Sequence, residues 1–343
     1  MKSVQDIVDL ASAYYGSAVL FAAIDCGVFE AVEKGTFDAS TRGMRLLADA
    51  CAAEGLLVKK GEGLYENTPA GRLALVPGGA ADLTKAIRYN RDVYPAWGRL
   101  KDFALTSRPV ERPGTHLGED KARTKAFADA MFGRAMGIGR SVVPMLGSVE
   151  GRVLDLAGGP AAYAILLCRA NPGAKVVTVD LPAISAEAAR YVAEARLSDR
   201  IECREGDYRS DEYEKEAYDL VTIFGALHQE EPSSIAGILS RAYRALKPGG
   251  RIAILDMMTD ETRTSPKFSA LFALNMALTT ENGWVFSDAE LKGWLAGAGF
   301  KPQETRRVPP PMPHWMVEAV KPHEKTGGNL VGATGLGPVT PTV

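Results

Sequence analysis

The sequence predicts a two-part α/β protein: a mostly helical winged-helix-like half, then an open, doubly wound parallel sheet. Two patterns predict it. From about Gly151 onward, apolar runs of strand length alternate with helical runs, as in βαβ units around a buried parallel sheet. Before that point, apolar residues recur at helical spacing around a single hairpin signal. The 343 residues give room for two domains.

The elements follow in order. Val4, Ile7, Val8 and Ala11 repeat at helical spacing, and Val19, Leu20, Ala23 and Ile24 continue the repeat. TRGMRLLADACAAEGLLVKK reads as a helix ending near Gly55, and LLVKKGEGLYENT as a hairpin turning at Lys60-Gly61-Glu62-Gly63. Helices followed by such a hairpin make a winged-helix pattern, which often reads DNA. Here only Arg42 and Arg45 lie near it, so dimerisation or a substrate lid is expected instead. The chain is helical again from Asp82 to about Met145, broken by the Pro-rich RPVERPGTHLG. Strands RVLDLAG, AKVVTVDLP, RIECREGDY, YDLVTIFGALH and RIAILDMM then alternate with helices. The Gly-, Thr- and Pro-rich tail from His323 is expected to be disordered.

Composition excludes several classes. With 46% apolar and 24% charged residues, disorder and fibrous folds are ruled out. A net charge of -2 provides no field for nucleic acid or an acidic membrane. Cys26, Cys51, Cys168 and Cys203 form no C-x-x-C pair, so buried, reduced thiols are expected rather than a metal site. No apolar run of the ~20 residues that span a bilayer is apparent, and the N-terminus lacks signal-peptide character. A cytoplasmic protein with no membrane or nucleic-acid partner is expected.

Three strand ends carry chemistry. The first ends in Asp155 before Ala157, Gly158, Gly159 and Pro160, where glycines admit a ligand close to backbone. The second ends in Asp180-Leu181, an acid suited to a ribose diol. The third runs into Gly206-Asp207-Tyr208, an acid and an aromatic for a purine edge and face. All three corners fall on the carboxyl edge of the sheet, where ligands bind in open α/β folds.

With these motifs in place, the second half resembles the Rossmann-like class I S-adenosylmethionine-dependent methyltransferases. The whole chain is similar to their two-domain small-molecule O-methyltransferases, of the caffeate and acetylserotonin type. The likeness spans roughly residues 5–320. It includes F-A-D-A-M at 127–131, V-D-L-P, G-D-Y, A-L-H, L-K-P-G-G at 246–250 and A-G-A-G-F at 296–300. It implies a dimerisation domain over 1–100, a helical linker walling part of an acceptor pocket over 101–150, a cofactor-binding domain over 151–322 and the tail 323–343. It also implies a homodimer, S-adenosylmethionine as cofactor and S-adenosylhomocysteine as product. Gly158 and Gly159 would lie by the methionine part, Asp180 and Leu181 by the ribose, and Asp207 and Tyr208 by the adenine. Ala157 and Ala161 depart from the family's D-x-G-x-G-x-G.

Methyl transfer from a sulfonium needs alignment, a dry pocket and, for a hydroxyl, a base. His228 matches the family's base, although its turn reads His-Gln-Glu instead of H-[DN]-W. Asp256 stands at the first orienting acid. Val285 stands at the second, with Glu281 nearby in sequence. The missing acid opens a second chemistry, S-methylation of a thioether acid such as a methylthio-hydroxybutyrate, which needs no base. Its carboxylate would want an arginine fork, with Arg88, Arg91, Arg134 and Arg140 as candidates. The acceptor pocket is expected from Met131, Phe132 and Arg134 on one helix and Phe272, Asn275 and Met276 on another, with Tyr14 and Tyr15 reaching from a partner chain. His116, His314 and His323 are expected on surfaces or loops. A winged-helix regulator sensing S-adenosylmethionine and a non-catalytic paralogue are the remaining alternatives.

Overall fold

The computed structural model describes residues 2–79, 81–112, 115–310 and 312–323. The expectation for the tail therefore lies outside the described residues from 324 on.

In the N-terminal part, Ser3 caps α1 (Val4–Ser12) in a reciprocal bond with Asp6, and α2 (Tyr14–Asp25) continues directly from it. Two further helices, α3 (Val28–Glu33) and α4 (Arg42–Ala53), precede an antiparallel hairpin of β1 (Leu57–Gly61) and β2 (Leu64–Asn67). Thr68 and Pro69 then start α5 (Pro69–Ala74), as a threonine cap and an N1 proline should. Ala23, Phe29, Ala48, Cys51, Leu57 and Tyr65 form the core of this part. By contrast, α1 buries nothing, and Ile7, Val8 and Leu10 are more than half exposed. Two expectations are corrected here. The continuous helical stretch Val4–Asp25 has 22 residues and is long and apolar enough to cross a membrane by length and composition, because Ala13 stays helical between its two segments. Cys26 is exposed, since it caps the end of α2, whereas Cys51 and Cys168 are buried as expected.

Helices α6 (Thr84–Gly98) and α7 (Leu100–Thr106) and a short π turn (Thr115–Glu119) lead into the long α8 (Lys121–Met145). The α/β part follows, with β3 (Gly151–Leu156), α9 (Ala162–Ala170), β4 (Ala174–Asp180), α10 (Pro182–Glu194) and β5 (Ile201–Glu205). Strand β6 (Tyr218–Phe224), α11 (Pro232–Ala245) and β7 (Leu246–Asp256) come next. They are followed by α12 (Lys267–Thr279), α13 (Asp288–Gly297), the short β8 (Lys301–Pro302) and β9 (Arg306–Arg307), and β10 (Trp315–Val320).

The sheet order is β5-β4-β3-β6-β7-β10-β8, parallel through β7 and antiparallel at β10. Alternate residues face opposite ways: Leu154 and Leu156 enter a core with α11 and α13, and Val153 one with α8, α9 and α10. The chain winds outward from β3 to β5 and returns to place β6 on the other side of β3. That reversal is the topological switch point, where a crevice opens at the carboxyl ends of the strands.

Candidate active site

Registers bring the three acidic strand ends together, with Asp155 opposite Thr178 and Asp180 opposite Glu205, just before Asp207. Asp155 is a strut beneath the turn. Its oxygens accept the hydroxyls of Thr222 at 2.7 Å and Thr178 at 3.2 Å, and burial pushes its pKa up to about 6. Gly158 passes directly over this strut. A Cβ there would stand 1.9 Å from Thr178 Oγ1, so glycine alone fits. Gly159 has φ 56° and nothing within 4 Å of where its Cβ would be, so its outer side is open to a ligand. The N–H groups of Gly159 and Leu181 donate to the two oxygens of Asp180, at 2.7 and 2.8 Å. Burial, with the nearby Asp207 charge adding to it, still pushes the Asp180 pKa up to about 6. The remaining lone pairs of this carboxylate, beside a wide glycine turn and a free helix N-terminus at α9, fit an adenosyl sulfonium. Asp207 binds Arg209, with Nη2 to Oδ2 at 2.7 Å, which holds its pKa down.

His228 lies on a 3-10 turn (Leu227–Gln229) just past β6 and is 7% exposed. Its Nδ1 is 2.7 Å from Asp256 Oδ1, and its backbone N–H donates to Oδ2 at 3.2 Å. One carboxylate thus grips both the ring and the main chain of the histidine. Asp256 is fixed in turn by the Met257 N–H at 2.8 Å and by its place opposite Trp315 in the β7–β10 ladder. With Nδ1 facing a carboxylate, the proton of a neutral ring sits on Nδ1 and leaves the Nε2 lone pair free. The Phe272 ring meets the imidazole edge-on at 5.2 Å. Val285 is buried and supplies only its carbonyl, to Arg263 Nη1 at 2.9 Å. Glu281 is exposed, lining a cavity of about 330 Å³ with Phe103, Pro109 and Trp284.

The other expected acceptor residues divide. Phe272 and the buried Met276 share α12 with Asn275, whose Oδ1 accepts the Trp97 indole N–H at 2.9 Å. Phe132 faces the sheet domain, stacked on Tyr191 at 3.7 Å. Met131 and Arg134 are half-buried on α8. Tyr14 and Tyr15 are exposed, with ring centroids 4.6 Å apart. Arg91 pairs with Asp25 at 2.5 Å, Arg140 is exposed, and Arg88 lines a small cleft against α3.

His314 lies on a loop as expected, just before β10, but it is buried at 6% exposed, because the ladder of β10 carries the residue before Trp315 into the interior beside Asp256. His323 is exposed as expected, and the side chain of His116 lies outside the described residues. Glu230 went unnoticed in the sequence. It is buried, accepts the Tyr208 hydroxyl at 2.8 Å and the Ser234 hydroxyl at 2.7 Å, and its carbonyl takes the Trp284 indole N–H at 2.7 Å. It ties the third corner to the His228 turn. Its place two residues after His228, where the family turn has tryptophan, was the available signal.

The profile of the O-methyltransferase domain matches residues 115–301, and that of the O-methyltransferase dimerisation domain matches residues 8–77. The chain is 30% identical to 3-hydroxy-5-methyl-1-naphthoate 3-O-methyltransferase of Streptomyces sahachiroi, over 92% of this chain and 94% of that one. It is 28% identical to human acetylserotonin O-methyltransferase, over 85% and 91% respectively. The crystal structure of human N-acetylserotonin methyltransferase in complex with SAM superposes with a TM-score of 0.82 at 26% identity, covering 94% of this chain and all of that one.

Proposed function

Because the chain belongs to the two-domain O-methyltransferase family, we propose that His228 is the base that deprotonates an aromatic hydroxyl for methylation, with Asp256 as its orienting partner. Methylation of a small molecule at oxygen, with S-adenosylmethionine as cofactor, comes with the family. The observation that carries the assignment is the 2.7 Å contact between His228 Nδ1 and Asp256 Oδ1.

When bound, S-adenosylmethionine would supply an electrophilic methyl carbon, its sulfur being the leaving group that keeps the electron pair. His228 Nε2 takes the hydroxyl proton as the oxygen closes on that carbon, and Asp256 stabilises the imidazolium that forms. Gly158 lets the turn pass close over Asp155 and Thr178, and with the cofactor bound Gly159 would face the methionine part, Asp180 would hold the ribose hydroxyls and Tyr208 would flank the adenine. Phe272, Met276 and Met131 exclude water from the acceptor. The two-point grip of Asp256 on His228 compensates for the missing second acid, which favours oxygen over a thioether sulfur as the nucleophile.

The same reading makes the protein a homodimer through its N-terminal part. The uncovered apolar surface of α1 and α2 supports this, since residues 8–77 match a dimerisation domain. Four free cysteines suit a reducing, cytoplasmic compartment.

H228A, tested with S-adenosylmethionine and a hydroxyarene that the wild type methylates, should lower kcat by about 10²–10⁴-fold while S-adenosylhomocysteine binds unchanged. D256N should lose much of the same activity. Retention of near-normal kcat in H228A would remove the base assignment.

A further inference from the structure

Two groups that act on one another electrostatically have no part in the chemistry above. Arg134 lies three residues beyond Met131 and seven beyond Phe127, so the three share one face of α8. The Phe127 ring is 5.7 Å from Tyr89 of α6, and Tyr89 is one of two phenols electrostatically close to the Arg134 guanidinium. The other is Tyr163 at the start of α9, edge-on to Phe224 at 5.0 Å. Among the described residues, Arg134 makes no ion pair, hydrogen bond or cation–π contact. The structural arginines behave otherwise. Arg200 donates to the carbonyls of Cys168, Asn171 and Ala174, and Arg251 and Arg306 each join a main-chain carbonyl to Glu318.

The second group is His314, buried on the loop into β10, whose Nδ1 has no hydrogen-bond partner. The charges that act on it are those of Arg134, Asp256 and His228. It therefore lies within electrostatic reach of both the Arg134 guanidinium and the His228–Asp256 pair, and the β10 register sets its neighbour Trp315 opposite Asp256. Burial first, then Arg134, pushes its pKa down to about 4, so the ring is neutral at physiological pH and has one N–H to donate. A guanidinium cannot shed its proton, and a partly buried one without an anion is unfavourable.

We propose that Arg134 and His314 form a carboxylate subsite beside the base, so that the acceptor is a hydroxyarene carboxylic acid rather than a neutral phenol. This rests on the O-methyltransferase reading and adds the acceptor's charge to it. Arg134 receives the carboxylate through its paired N–H groups, and His314 donates to the same anion. The carboxylate and the hydroxyl facing His228 are then carried on one rigid skeleton.

The test uses full-length protein saturated with S-adenosylhomocysteine, with 3-hydroxybenzoate, 6-hydroxy-2-naphthoate and their methyl esters as probes in calorimetry. At least one acid should bind about tenfold or more tightly than its ester, and the preference should vanish in R134M and weaken in H314N. R134M without acceptor should melt no lower than the wild type, since an unpaired charge has been removed. Failure of both acids to bind, an ester bound as well as its acid, or a preference that survives R134M would overturn the proposal. So would a lower melting point in R134M, which would make Arg134 structural. A tenfold loss of S-adenosylhomocysteine affinity in R134M would also overturn it, by handing the guanidinium to the cofactor's own carboxylate. These are binding measurements and do not require transfer, so they separate from the H228A result.

Discussion

The turn after β3 contains two alanines where the family has glycine, and both adopt the left-handed conformation: Ala157 at φ 52° and Ala161 at φ 61°. A Cβ in that region costs about 1–2 kcal/mol, so A157G should relieve that amount. Against it stand about 0.5–1 kcal/mol for the added freedom of the unfolded chain, and about half of the ~0.8 kcal/mol of a buried methyl, since Ala157 is only half-buried. The balance for A157G runs from about neutral to about 1 kcal/mol stabilising. Ala161 is fully buried in the core with α8 and α9, so A161G loses the whole methyl and leaves a void, and it should be about 0.5 kcal/mol or more worse than A157G. Urea unfolding followed by circular dichroism, at fixed protein concentration because the chain is expected to dimerise, should give midpoints in the order A157G above A161G. Calorimetry with S-adenosylhomocysteine should give unchanged affinity for A157G and a marked loss for G159A, whose methyl would enter the open space above the turn. If A157G were less stable than A161G, or lost more than about 1 kcal/mol, strain would not govern the turn.

Two further outcomes are expected. The Asp180 carboxyl, raised from 3.8 to about 6, holds its proton more tightly folded than unfolded, so its contribution to stability falls as pH rises through that window. Ribose binding needs the ionised form, so S-adenosylhomocysteine affinity should drop about tenfold between pH 7 and pH 5; equal affinity at both would refute the ribose role, and D180N should bind weakly at either pH. I7E/V8E should convert the dimer to a monomer in sedimentation, because α1 buries nothing of its own; a variant that sedimented as the wild type would place the dimer contact elsewhere.

What the sequence disclosed divides by range. The strand ends carrying Asp155, Asp180 and Asp207 and the hairpin around Gly61 were legible, because each is a local pattern whose placement follows from a strand and the turn after it. The pair of His228 and Asp256 was legible only through resemblance, since its members lie 28 residues apart on neighbouring strand ends. The amphipathic spacing of α8 gave no hint that Phe132 would stack on Tyr191 while Arg134 turned elsewhere, because that helix meets α6 on one side and α9 and α10 on another. The burial of His314 was not legible for a related reason. Its loop is rich in proline and reads as surface, and only the antiparallel return of β10 against β7 carries it inside.

That return strand couples the two halves of the acceptor site. The register that sets Trp315 opposite Asp256 holds the acid that aims His228, and it also fixes His314, one residue earlier, beside the same pair. A slip of one residue would turn every β10 side chain to the other face and would move both groups at once. The base and the histidine of the carboxylate subsite are therefore set by a single strand pairing. Arg134 arrives independently, on a helix from outside the sheet. Substitutions that loosen the β7–β10 ladder should accordingly weaken both the acid-over-ester preference and kcat, whereas changes at Arg134 should alter the preference and leave the base aimed at the reacting hydroxyl.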